Sequence, residues 1–82
     1  MNGEKNRIIP LSSAKPGRQF TLVGITGGMH LRLRLYSMGL MKGVRFKLTG
    51  SSPGEGPRVL AIGNRRLMLG YGLCSRVMVR ED

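Results

Sequence analysis

Acidic residues are scarce in this chain. Of its 82 residues four are Asp or Glu, against fourteen Lys and Arg. Glu4, Glu81 and Asp82 stand near the two ends, which leaves Glu55 as the one acid between Leu11 and Arg80. Twelve Lys and Arg share that interval, a formal charge of about +11. Without a pair of carboxylates, general acid–base catalysis lacks its usual groups. Histidine and cysteine occur once each, as His30 and Cys74. No Ser-His-acid set can be assembled from them, and an intrachain disulfide is impossible. His30, Cys74, Glu55, Glu81 and Asp82 are the candidate metal ligands, and none is spaced as metal ligands are. Segment 50–56, GSSPGEG, lacks the Lys-Ser/Thr ending of a phosphate-binding loop. The chain therefore reads as a non-enzyme with no cofactor and no tight intrachain metal site, a weak site shared between two molecules being left open. His30 reads as an exposed helix residue, and Cys74, in an apolar context, as a small buried hydrophobe.

Long apolar runs are missing too. No stretch approaches the length of a membrane span, and the first ten residues, MNGEKNRIIP, have no apolar core of the signal-peptide kind. A cytoplasmic protein is expected. Aromatics number four: Phe20, Tyr36, Phe46 and Tyr71. Binders of single-stranded nucleic acid stack bases on exposed aromatics set among basic residues. Phe20 and Phe46 lie in apolar strand patterns, so only Tyr36 and Tyr71 are available as platforms. Specific nucleic-acid binding thus rests on charge alone and is the alternative reading. The positive charge itself predicts attraction to an anionic partner.

The length suits one domain, which at this size buries roughly 60% of the surface of its unfolded chain. Residues 1–10 are polar and read as a flexible N-terminal segment, of which Ile8 and Ile9 are the residues able to touch the body, with the folded domain over 11–80. Lys15-Pro16-Gly17 is a turn signal after the apolar Leu11. Alternating or apolar patterns predict strands at 18–25, 43–49, 57–62, 65–69 and 76–80, with a flexible loop at 50–56. Gly63-Asn64 is a two-residue hairpin signal. Between 70 and 75 a short turn or single 3₁₀ turn fits. Segment 29–38 is ambiguous, because MHLRLRL alternates as a strand does while Leu31, Leu35 and Met38 follow the i, i+4, i+7 spacing of a helix. Gly39-Leu40 decides for helix: glycine takes the left-handed conformation that ends a helix, and the apolar residue after it folds back on the last turn. Five short strands in so small a chain suggest a compact barrel, mainly β, with one short inserted helix.

Several of these pieces, in order, resemble the FeoA family. They are Leu11 with Lys15-Pro16-Gly17, Gly27-Gly28, Leu33 and Leu35 leading to Met38-Gly39-Leu40, and Gly43 opening a strand. Pro53, Gly56-Pro57, Gly63, Leu67, Leu69-Gly70, Val77 and Val79 complete the set. The resemblance spans about 11–80. It implies an SH3-like β-barrel with an early helix, and an accessory role in bacterial ferrous iron transport beside FeoB, a membrane transporter with a cytoplasmic GTPase domain. Recruitment to the inner face of the cell membrane would follow. The same barrel occurs in iron-dependent repressors; this chain has no helix-turn-helix part, so the alternative of a transcription-regulator-associated module would need a separate partner protein.

If 29–38 is helical, Arg32 and Arg34 lie off the Leu31/Leu35/Met38 stripe and are exposed. With Lys42 and Arg45 close in sequence, these four form the candidate partner-binding surface. The expected state is a monomer or a weak self-associate.

Overall fold

The computed structural model describes residues 7–51 and 56–82. The predicted segment 1–10 and loop 50–56 fall in part outside them. The described residues form a mostly β fold. Strand β1 (Ile8–Pro10) leads into a 3₁₀ turn (Leu11–Ser13), followed by β2 (Gln19–Ile25) and α1 (Met29–Ser37). β3 (Arg45–Ser51), β4 (Arg58–Ile62), β5 (Arg65–Leu69), the single-turn α2 (Tyr71–Cys74) and β6 (Val77–Glu81) complete it. All six strands join one antiparallel sheet in the order β1-β6-β2-β3-β4-β5. The sheet is barrel-like without closing. Register shifts bend it at two places, between Leu22 and Gly24 on β2 and between Leu48 and Gly50 on β3. Such bulges sharpen strand twist and let a small sheet curl around its core.

Strand alternation builds that core. Phe20 and Leu22, Phe46 and Leu48, and Val77 and Val79 point inward and are buried, with Leu60 and Leu69 from the β4–β5 hairpin. Phe20 and Phe46 are direct cross-strand partners. Their rings stack with centroids 6.1 Å apart, inside the range where aromatic pairs attract beyond simple burial. Among the described residues no polar or charged residue is buried. The hairpin turn is Gly63-Asn64, flanked by the Ile62–Arg65 pair. Gly63 has φ +59°, the positive φ that the first position of a tight hairpin turn needs.

One element lies where the sequence reading placed a flexible tail. Ile8–Pro10 pairs with β6, Ile9 opposite Val79, so the sheet has six strands rather than five and the folded body starts before Leu11. Pro10 ends this edge strand, a position where a missing N–H is tolerated.

Helix α1 ends as its sequence predicts. Gly39 has φ +88°. The Gly39 N–H donates to Tyr36 O (2.9 Å) and the Leu40 N–H to Leu35 O (3.0 Å). These are the two bonds of a Schellman cap, and its apolar contact is made by Leu35 and Leu40, both fully buried. The Met38 carbonyl is taken by Arg65 Nη2 from β5 (2.8 Å), which also places a cation at the negative end of the helix. A Cβ on Gly39 would run into that guanidinium. Gly39→Ala should therefore lower the stability by about 1–3 kcal/mol, from left-handed strain together with displacement of Arg65. Urea unfolding of the variant beside Gly63→Ala, where a Cβ meets nothing within 4 Å, separates the strain from the displacement.

Candidate functional site

Positive charge dominates the surface because the described carboxylates are confined to one place. Glu81 and Asp82 follow one another at the end of β6, and each holds an arginine. Arg18 Nη1 donates to Glu81 Oε2 (2.8 Å) and Arg45 Nε to Asp82 Oδ2 (3.2 Å). The Thr21 hydroxyl donates to Asp82 Oδ1 (2.5 Å). An open cavity of about 320 Å³ lies beside the first pair, with Arg7, Lys15 and Arg18 on its wall and Phe20 at its floor. Among the described residues its one carboxylate is Glu81, already bonded to Arg18.

Of the four basic residues named from sequence, Arg32, Arg34 and Lys42 are exposed on α1 and the turn after it. Arg45 is exposed as well, yet it belongs to the sheet: it opens β3 opposite Thr21 of β2 and engages Asp82. Three of the four thus sit on the helix and its turn, and the fourth is partly neutralised. Sequence proximity to Lys42 gave no sign of this, because Asp82 reaches Arg45 only through the sheet.

The helix also carries what the sequence reading passed over. Leu31, Leu35 and Met38 face the core, Leu35 with no exposed surface. Met29, Leu33 and Tyr36 face outward, 66%, 55% and 39% exposed, and Met41 in the following turn is 49% exposed. The signal was present in LRLRL. Residues two apart share a face in a strand but lie roughly 200° apart on a helix. Once the Gly39-Leu40 cap makes 29–38 a helix, Leu31 and Leu35 can be buried only if Leu33 is not.

His30 is exposed on α1. Cys74 is fully buried with its thiol toward Leu69 O (3.5 Å). Burial pushes the thiol's pKa up, against an opposing pull from the Arg58 charge, so it stays neutral and unreactive near pH 7. Arg58 serves as a strut: its guanidinium donates to Ala14 O (2.6 Å) and Ser12 O (2.9 Å), tying the 3₁₀ turn to β4. Phe20 and Phe46 are core residues, Tyr71 is half-buried, and Tyr36 is the most exposed of the four aromatics. Among the described residues no three His, Cys, Asp or Glu side chains come together, and no helix is long and apolar enough to cross a membrane.

A model of the FeoA domain matches residues 9–81. The crystal structure of an iron uptake regulatory protein (FeoA) is 38% identical, covers 93% of this chain and 99% of its own, and superposes with a TM-score of 0.82. Iron(II) transport protein A from Clostridium thermocellum is 25% identical over 89% of this chain and 45% of its own, with a TM-score of 0.80. A manganese-dependent transcriptional repressor shares the fold at 17% identity, over 94% of this chain and 43% of its own, with a TM-score of 0.83. No curated protein sequence matches.

The Thr21 hydroxyl, followed by the hydrogen bond and charge of Arg45 and the charge of Arg80, holds the Asp82 carboxyl below the ordinary aspartate value. The fold therefore favours the ionised form. Its contribution is present in full above the ordinary value and is lost as pH falls through the lowered one. For a pair at the surface with an exposed arginine it amounts to at most about 1 kcal/mol. Asp82→Asn should flatten the acid limb of a plot of urea midpoint against pH and leave the slope above neutrality unchanged.

Proposed function

The chain belongs to the FeoA domain family, and from that premise we propose that it is a non-enzymatic accessory protein that binds and modulates FeoB, the ferrous transporter with a cytoplasmic GTPase domain. Membership supports a role in ferrous iron transport. The observation that carries the finer reading is the family match over residues 9–81 on a body whose described carboxylates are both engaged by arginines. Arg32, Arg34 and Lys42 are then left to face an anionic protein surface. Nothing in the described residues suggests turnover: the one cysteine is buried, the one histidine is exposed and has no carboxylate beside it on α1, and Glu81 is spoken for. Action through contact, at the inner face of the membrane where such a transporter presents its soluble part, is the chemistry these residues allow.

The nucleic-acid reading draws on the same charge and on nothing else. Two of the four aromatics are stacked on each other in the core, which removes them as platforms for bases.

A pull-down with the purified cytoplasmic region of FeoB from the same source, at low and at physiological salt, tests the reading. An unrelated acidic protein serves as control. Selective retention is expected, weakening as salt shortens the Debye length to about 8 Å, and Arg32→Glu with Arg34→Glu should reduce it about tenfold or more without shifting the unfolding midpoint. Equal retention of the control, lost in parallel with salt, would reduce the interaction to nonspecific charge.

A further inference from the structure

Helix α1 is nine residues long and apolar on two sides. One side, Leu31, Leu35 and Met38, is covered by the chain's own core. The other, Met29, Leu33 and Tyr36, repeats the i, i+4, i+7 spacing on the outside and is left to solvent. On a helix of 3.6 residues per turn Arg32 and Arg34 fall on opposite flanks of that outer stripe. Its pattern is therefore an apolar ridge between two cations, continued by Met41 and Lys42 in the turn beyond.

A convex ridge of this spacing is what a helix presents when it lies in a groove, with the apolar side chains as anchors. The flanking charges state the chemistry of the groove. Arginines that come to rest on a surface need carboxylates at its rim, since burying an unpaired charge is unfavourable. A second copy meeting this one through the same face would bring Arg32 and Arg34 against themselves, and among the described residues the carboxylates already hold Arg18 and Arg45. An anionic bilayer could supply anions, but would gain only the few apolar side chains of one short helix, a marginal anchor by area.

We propose that α1 is a ligand helix, laid by Met29, Leu33 and Tyr36 into an apolar groove with an acidic rim on the partner protein, with Arg32 and Arg34 fixing its orientation. This rests on the reading of FeoB as partner and assigns the energetic centre to the apolar stripe rather than to the arginines. Truncation effects at an interface concentrate on its buried apolar anchors while rim charges act on approach.

The test is titration of the full chain into the purified FeoB cytoplasmic region at physiological salt, with Leu33→Gln as the probe. Met68→Gln on β5, also at an exposed apolar residue (65%), is the control. Both substitutions keep the charge, and both variants are checked by urea unfolding. Leu33→Gln should raise Kd about tenfold or more while Met68→Gln leaves it unchanged. Parent-like binding by Leu33→Gln would overturn the ligand-helix assignment and leave the transporter reading intact. No binding by the parent chain would overturn both. A parallel sedimentation with vesicles of mixed phosphatidylcholine and phosphatidylglycerol covers the remaining occupant: Leu33-dependent capture by lipid, without Leu33 dependence toward the protein, would transfer the stripe to the membrane and sink the groove.

Discussion

The carbonyl end of α1 fixes the rest of this structure. The helix begins at Gly28 with no side-chain cap and no acid in its first turn, so little beyond the glycine itself favours its start. Its other end is held by several bonds: Tyr36 and Leu35 carbonyls accept from Gly39 and Leu40, Arg34 O accepts from the Ser37 hydroxyl (2.6 Å), and Met38 O accepts from Arg65. Because Arg65 belongs to β5 and Leu40 is buried in the core, this cap joins the helix to the sheet as well as terminating it. The rotation of α1 about its own axis is set there, and with it which leucines are inside and which side chains meet a partner.

Charge is organised by a similar economy. Two carboxylates, adjacent at the end of β6, engage Arg18, just before β2, and Arg45, at the start of its neighbour β3. Both pairs lie at the surface, with the arginines exposed, and add little stability. Their larger effect is on the field around the molecule: with the described acids gathered on one strand, α1 and its turn carry cations with no anion of their own helix to answer them.

Much of this was legible in the sequence, for local reasons. The glycine after Met38, the Gly63-Asn64 turn and the alternation around Phe20, Phe46 and Val77 are short-range signals, and each acts in the structure as its pattern implies. The ordered set of turn and cap residues sufficed for the family. What stayed hidden depends on residues far apart in the chain. Ile8–Pro10 looks like a tail until β6 offers an edge some seventy positions later. Arg58 is one more surface cation until the carbonyls of Ser12 and Ala14 arrive beneath it. Arg45 is unremarkable until Asp82 lies beside it. The outer ridge of α1 differs, since its residues are local and the helix assignment already implied that Leu33 turns away from Leu31 and Leu35.

The strand order has a further consequence, for the time course of folding. β2 to β5 follow one another as neighbours, so that part of the sheet can zip up from adjacent hairpins, interrupted only by α1. β6, last in the chain, is wedged between β1 and β2, the first two strands. Closing that pairing requires a loop of nearly the whole polypeptide, the kind of distant contact that slows a small β domain. Until β6 emerges from the ribosome, β1 has no neighbour and the inner face of β2 lacks Val77 and Val79. A nascent chain halted before that point would hold a half-built sheet with an open, apolar flank, the species a chaperone would meet.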